Sequence, residues 1–358
     1  DVAKAYIIYR DEHKKLRDAT KTLLDSQDII RKYVGQQDWR VNENANIDYS
    51  HSGLLWHGVG TVMAYYGLNH VYPLEIAKSH QTGDFHIHDL SMPICGYCAG
   101  WSLRQLLLEG FGGVPHKVAS SPAKHLRVAL GQMVNFIGTL QNEWAGAQAF
   151  SSFDTYLAPF VRQDKLDYKD VKQCMQEYVY NMNVTSRWGG QSPFSNITLD
   201  LNPPEDLKDK PVIFGGKLQD TTYGDYQPEM EMINQAFLET VLKGDANGRV
   251  FTWPIPTYNI TKEFDWDSKT SNMVFDIAAK YGIPYFSNFI NSDLKPTDVR
   301  SMCCRLRLDL KELSRNFTGG LFGSGESTGS VGVVTINLPK IGYQAKDDYE
   351  YFEKLDQL

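Results

Sequence analysis

The chain has 358 residues, with 36 basic and 43 acidic side chains and a formal net charge of −7. Its 42% hydrophobic and 22% charged residues suit a globular protein with a sizeable core and exclude a disordered or collagen-like chain. Mild acidity argues against nucleic-acid binding, and no apolar run reaches the roughly 18–20 residues that span a bilayer, so a cytoplasmic protein with no membrane partner is expected.

Residues 1–25 read as helix that begins without a capping residue. Residues 51–66, HSGLLWHGVGTVMAYY, predict an amphipathic helix with Ser50 or Ser52 as its cap. Alternation in residues 84–90, DFHIHDL, predicts a strand with Phe85, Ile87 and Asp89 on one side and His86 and His88 on the other. Residues 121–160 read as one long helical stretch. Its small residues Gly131, Gly138, Ala145 and Gly146 would let another helix or subunit approach closely. A further helix is expected over residues 167–183.

Beyond it, FSNITLDL, RVFTWPIPTYNI, GIPYFSNF and GSVGVVTINLP read as strands, and residues 227–243 and 270–281 as helices. Strand–helix alternation favours an α/β architecture with largely parallel strands. No linker interrupts the pattern, so one large domain is expected.

The five cysteines are Cys95, Cys98, Cys174, Cys303 and Cys304. An odd count in a large chain does not suggest a secreted disulfide framework. Cys95 and Cys98 have the spacing of a redox dithiol or of half a zinc site. The adjacent Cys303 and Cys304 would point apart on a strand and make a poor second half, so no metal is expected here. Free cysteines are commonly buried as small hydrophobes. Cys303 and Cys304, however, precede the glycine-rich NFTGGLFGSGESTGSVG, a setting that more often holds reactive thiols.

His86 and His88 fit a metal pair, a hydrogen-bonded core pair or a substrate site, and Asp89 is placed to fix a tautomer. Three stretches offer backbone N–H groups and hydroxyls to phosphates: HSGLL at Ser52 and Gly53, GGQSPFSN from Ser192 through Ser195 to Asn196, and ESTGSVG from Ser327 to Ser330. None is a Walker motif. The amides of Asn196 and Asn259 suit ribose hydroxyls, or equally a turn at a strand end.

Four motifs, HIHDL, CGYCAGWSL, RSMCCRL and GSVGVVTINLP, occur in an order and at separations that resemble the anaerobic (class III) ribonucleoside-triphosphate reductases. SGLLWHGVG, RWGGQSPFSNITLD and FTWPIPTYNIT strengthen the resemblance, which runs over residues 40–345. DVAKAYIIYR resembles the end of that family's ATP-cone. The resemblance implies an ATP-cone tail over residues 1–15 and a catalytic domain over 16–358. That domain would be a ten-stranded α/β barrel of two antiparallel halves, each of five parallel strands, threaded by a finger loop.

The implied activity is reduction of ribonucleoside triphosphates to 2′-deoxyribonucleoside triphosphates. Cys304 matches the thiyl-radical position at the finger tip, with Cys303 as the second candidate. Cys98 matches the thiol that protonates the leaving 2′-hydroxyl, and His88 is the nearby candidate for substrate contact or acid–base work. Cys95 reads as a bystander and Cys174 as core. The strand after the finger contains no cysteine, so the expected reductant is formate rather than a dithiol protein.

The 121–160 stretch resembles the dimer-interface helix, where a specificity effector (ATP or a deoxynucleotide) binds between subunits. Lys124, Arg127, Gln141, Asn142 and Gln148 are its candidate contacts. Arg187 and Trp188, in TSRWGGQSP, are candidates for a link from effector to active site.

The sequence departs from the family in two respects, the first being that most of the ATP-cone is missing. The glycyl-radical motif and the zinc-binding cysteine pairs that precede it do not occur. The chain therefore reads as part of a longer enzyme, inactive by itself, whose radical is installed by an activase using S-adenosylmethionine and an iron–sulfur cluster. Alternatives are a glycyl-radical enzyme of the pyruvate formate-lyase type and a non-catalytic nucleotide-binding module.

Overall fold

A computed structural model of the chain describes residues 25–35, 49–112, 118–187, 190–292, 299–301, 307–309 and 328–358. Two compact units emerge. The first holds the chain up to Ile94, a short piece at residues 188–191 and everything from Val334 onward; the second holds the remainder. The expected ATP-cone tail at 1–15 lies outside the described residues.

The first unit opens with α1 (Ser26–Val34), capped by Asp25, and α2 (His51–Tyr66). Ser50, not Ser52, caps α2: its hydroxyl accepts from the Gly53 N–H at 3.1 Å. Tyr33 anchors the two helices, because its hydroxyl bonds both the N–H and the C=O of Ser50. After α3 (Leu74–Thr82), Gly83 takes a left-handed φ of 76°, a conformation costly for any residue with a Cβ. This turn feeds β1 (Phe85–Ile87), where Phe85 and Ile87 are buried and His86 is exposed, as the alternation predicts. The alternation stops there, since Asp89 sits in a turn at φ 50°.

The second unit runs β2 (Cys98–Trp101), α4 (Leu103–Glu109), α5 (Leu126–Leu140), β3 (Gln148–Phe150), α6 (Phe153–Gln163), α7 (Tyr168–Met182) and β4 (Ser195–Leu199). It continues through the hairpin β5 (Pro211–Phe214) and β6 (Lys217–Thr222), α8 (Gln227–Lys243), β7 (Ile255–Ile260), α9 (Lys269–Tyr281) and β8 (Tyr285–Asn288). A second hairpin, β9 (Val299–Ser301) with β10 (Arg307–Asp309), and β11 (Thr328–Ser330) complete it. The chain then supplies the first unit with β12 (Val334–Ile336), α10 (Leu338–Gln344) and α11 (Asp348–Asp356). β12 pairs antiparallel with β1.

The main sheet has six strands in the order β11-β2-β3-β4-β7-β8. The five from β2 to β8 are parallel, and β11 runs antiparallel along β2. The crossovers between parallel strands are helical, as α/β sheets require. One sheet face carries Phe150, Ile197, Leu199 and Tyr258, which pack with Phe153, Leu157, Phe160 and Phe237 of the helices into a continuous buried core. The α/β expectation with largely parallel strands therefore holds.

Two sequence expectations fail in detail. The stretch 121–160 is two helices separated by strand β3. Ala145 and Gly146 suit a helix as well as a close strand contact. Here their N–H groups bond Gly96 O and Tyr97 O at 3.0 and 2.6 Å, which draws the segment into the sheet. GSVGVVTINLP is likewise two strands, β11 and β12, each paired with a different neighbour. Among the described residues, no helix is long and apolar enough to cross a membrane.

Candidate functional site

Side chains alternate along a strand, so the register of the main sheet sorts its residues by face. Gly100, Ala149 and Asn196 are in register across β2, β3 and β4, and Asn196 faces Ile255 on β7. The face opposite the helix-packed core therefore carries Cys98, Asn196, Thr198, Thr257 and Asn259. The core-side face carries Gln148 and Ser195, which are partners in the same ladder. Asn196 and Ser195 thus point to opposite sides, and one ligand cannot lie against both on the sheet. Ser195 directs its hydroxyl to Pro193 O at 3.3 Å.

Cys98 is fully buried at the start of β2 and packs with Tyr97 and Ala147, apart from the main core. Its N–H donates to the Ser330 hydroxyl of β11 at 3.2 Å, and the Tyr97 N–H donates to Ser330 O at 2.8 Å. Gly146 passes so close that a Cβ there would stand 2.6 Å from the Cys98 sulfur. Only glycine permits that approach, and the sequence gives no sign of it. Cys303 and Cys304 lie outside the described residues, in sequence between β9 and β10.

Asn196 donates through Nδ2 to Ile255 O at 2.8 Å and to the Thr257 hydroxyl at 3.0 Å. These bonds fix the amide orientation and leave the buried Oδ1 without a donor. A buried acceptor without a partner is costly. Asn259 is differently engaged, because its Nδ2 donates to Asp200 Oδ1 at 2.7 Å.

Asp200 lies just past β4 and, with Asp154 of α6, forms a buried acidic pair that the sequence reading did not single out. Its one sequence signal is an acidic residue directly after a parallel strand. Four groups donate to Asp154: the N–H groups of Thr155, Asp200 and Leu201, and Nδ2 of Asn234. Burial raises both carboxyls, and the Asp154 charge lifts Asp200 further, to about 7. All the groups aimed at Asp154 are N–H donors, so Asp154 holds the charge. The Thr155 hydroxyl donates to Asp200 Oδ2 at 2.8 Å, which opposes the rise of Asp200 without cancelling it.

In the first unit, His88 places Nε2 2.7 Å from the Thr335 hydroxyl of β12. Its ring meets His86 edge-on at 4.8 Å, and His86 in turn faces His80 at 5.3 Å. His80 accepts the Ile87 N–H at Nδ1, so that nitrogen carries no proton. Among the described residues, no group of three His, Cys, Asp or Glu side chains is arranged to hold a metal ion. Ser52 is exposed at the start of α2, and the Gly53 N–H is taken by the Ser50 cap.

The effector candidates scatter. Lys124 is exposed. Arg127, also exposed, pairs with Glu177 at 2.9 Å. Gln148 is buried on β3, where its Oε1 accepts from the Trp101 indole at 2.8 Å. Gln141 is buried and donates to Gly138 O and the Ser186 hydroxyl, with Oε1 left without a partner. Asn142 is half-buried beside it. Gly138, Asn135 and Val134 of α5, with Ser186 and Pro193, line an open cavity of about 500 Å³, within the size range of small-ligand sites. Arg187 is buried, with its guanidinium bonded to backbone carbonyls. Trp188 lies outside the described residues. Cys95 is half-buried; Cys174 sits in the core, where burial pushes its thiol up.

Three comparisons bear on this arrangement. The anaerobic ribonucleoside-triphosphate reductase of Escherichia coli (strain K12) is 25% identical over 392 residues, covering 99% of this chain and 50% of that protein. The enzyme of that name from Enterobacteria phage T4 is 25% identical over 346 residues, covering 86% of this chain and 51% of its own. The chain thus spans about half the length of the curated relatives it matches. The crystal structure of the anaerobic ribonucleotide reductase from Thermotoga maritima with glycerol in the active site superposes with a TM-score of 0.65 at 21% identity, covering 92% of this chain and 55% of that one. The same enzyme in complex with dATP and CTP gives 0.63 at 19%, covering 92% and 54%. The family model described as anaerobic ribonucleoside-triphosphate reductase matches residues 43–358, and the chain belongs to that family.

Proposed function

We propose that the complete protein reduces ribonucleoside triphosphates to 2′-deoxyribonucleoside triphosphates by cysteine radical chemistry, with formate as reductant. The observation that carries this reading is the environment of Cys98. Its thiol is enclosed at the head of a parallel strand, on the polar sheet face shared with the unsatisfied Asn196 Oδ1.

The reaction balances without a dithiol. The C2′–OH bond breaks and a C2′–H bond forms. The hydroxyl leaves as water with one added proton; the formate C–H bond breaks, its hydrogen and two electrons pass to the sugar as carbon dioxide forms, and a solvent proton restores the proton donor. Cys98 supplies the proton to the departing hydroxyl, since a 2′-hydroxyl is a poor leaving group until protonated. Asn196 accepts a hydrogen bond from a ribose hydroxyl, and Ser330 stands beside the thiol. Cys304 is the proposed radical position, with Cys303 as second candidate. The family's glycyl radical, when present, would supply the hydrogen-atom abstraction that makes the cysteine radical and would be restored, with no net oxidation; its glycine motif and the zinc-binding cysteine pairs do not occur in this sequence. His88, Ser52, Gly53, Ser195 and Asn259 are the further candidates for substrate binding. Ser195 lies on the opposite sheet face and acts through its strand, whereas Asn259 shares the Cys98 face with its amide donor engaged by Asp200.

The five parallel strands β2, β3, β4, β7 and β8 suit one half of a ten-stranded barrel. The cavity beside Gln141, on the α5 side, suits a nucleotide effector at a homodimer interface. A radical S-adenosylmethionine activase with an iron–sulfur cluster would install the glycyl radical.

The test is turnover by the complete protein after anaerobic activation, with CTP and labelled formate. Equal yields of dCTP and labelled carbon dioxide are expected. Absence of deoxynucleotide sinks the reductase reading. Reduction without formate, when a thioredoxin system is supplied, sinks the choice of reductant.

A further inference from the structure

Arg187 is 6% exposed, and a buried guanidinium needs acceptors for its N–H groups. Its Nη2 donates to Ala145 O at 2.6 Å and to Trp144 O at 3.3 Å. Its face lies over the Phe194 ring, 4.2 Å from the centroid. The two carbonyls belong to the turn that leads from α5 into β3.

The same turn is laced from its other side to the strand that bears Cys98. Ala145 N–H donates to Gly96 O, Gly146 N–H to Tyr97 O, and Ala99 N–H to Ala147 O, at 3.0, 2.6 and 3.2 Å. Gly146 forms the wall against the sulfur: a Cβ built there would lie 2.6 Å from Cys98 Sγ and 2.8 Å from the Tyr97 ring. Whatever fixes residues 144–147 therefore fixes the space around the thiol.

We propose that Arg187 is a positioning residue for the Cys98 thiol. By clamping the carbonyls of Trp144 and Ala145, it holds Gly146 against the sulfur, excludes water from it and restricts the directions open to its S–H. Arginine suits this task because its planar fork presents several N–H groups at fixed angles, whereas lysine offers a single flexible ammonium. The inference rests on the reading of Cys98 as a reacting thiol, but its test does not need turnover.

The experiment is alkylation of the full-length protein by iodoacetamide, with the rate at each cysteine read by peptide mapping. Cys174, buried among the helices, reports general loosening. Replacing Arg187 by Met should raise the Cys98 rate about tenfold over that of Cys174, because losing charge-assisted hydrogen bonds favours local opening. Arg187→Lys should recover part of the protection. An unchanged Cys98-to-Cys174 ratio in Arg187→Met overturns the proposal, and so does an equal rise at both cysteines.

Gly146→Ala gives a second reading if the Arg187 variants fold poorly. Its methyl must displace the sulfur or the turn, so the Cys98 rate should change several-fold with Cys174 unaffected. An unaltered rate there also overturns the proposal. The catalytic reading fails separately, if Cys98→Ser in the activated complete enzyme still turns over.

Discussion

Asn259 donates its side-chain amide to Asp200 at 2.7 Å, joining the ends of two adjacent parallel strands through a buried carboxyl group. The sequence offers Asn259 as a ribose contact, yet its donor is spent inside the protein. Burial and the neighbouring Asp154 raise Asp200 to about 7, so the folded state holds a proton that the unfolded chain releases near 4. The folded carboxyl lies above its unfolded value. Its contribution to stability is therefore complete below the unfolded value and is lost as pH rises from about 4 to 7. Asp200→Asn should flatten that decline, by at most about 4 kcal/mol over the interval. Urea unfolding at several pH values checks this; parallel curves for the two proteins would refute it.

Replacing Cys98 by Ser exchanges the thiol for a hydroxyl that fits the same space but is a far weaker acid. In the activated complete enzyme, turnover should fall by about a thousandfold or more, the scale of losing a proton donor together with a redox-active thiol. Nucleotide binding should stay within a few-fold. Equilibrium dialysis with CTP alongside the turnover assay separates the two effects.

Ser195 and Asn196 are neighbours in sequence and opposites in the sheet. Asn196→Ala should lower kcat/KM by about 10–100-fold, in line with loss of a buried hydrogen bond to the ligand of about 1–3 kcal/mol. Ser195→Ala loses only a weak local bond to Pro193 O and should alter kcat/KM less than about threefold. Equal losses in both variants would mean that the pleat does not govern which residue meets substrate.

Gly131 and Gly138 on α5 have open space where a Cβ would go. Either changed to Ala should stabilise the monomer by about 0.5–1 kcal/mol, because glycine is a poor helix former. If this face packs against a second copy, as proposed, the same methyls should weaken the dimer. Thermal unfolding and sedimentation velocity on one set of samples read the two effects, and an unweakened dimer would move the interface elsewhere.

The sequence by itself determined the class of fold and the family. Alternating apolar runs and helical periods in residues 195–288 mark strands and helices because burial imposes those periods locally. The motifs around Cys98, His88 and Cys304 carried the resemblance to the family whose model matches residues 43–358. The segment 121–160 was not legible: Ala145, Gly146 and Gln148 are compatible with helix. Only their pairing with residues 96–99, about 50 positions earlier, makes them strand. The same non-local pairing decided that Ser195 and Asn196 part company, that Asn259 serves Asp200, and that Asp154 and Asp200 meet in the core. Each depends on register or on contacts between distant segments. A one-residue shift of register moves a side chain to the other face, and nothing in local composition records that choice.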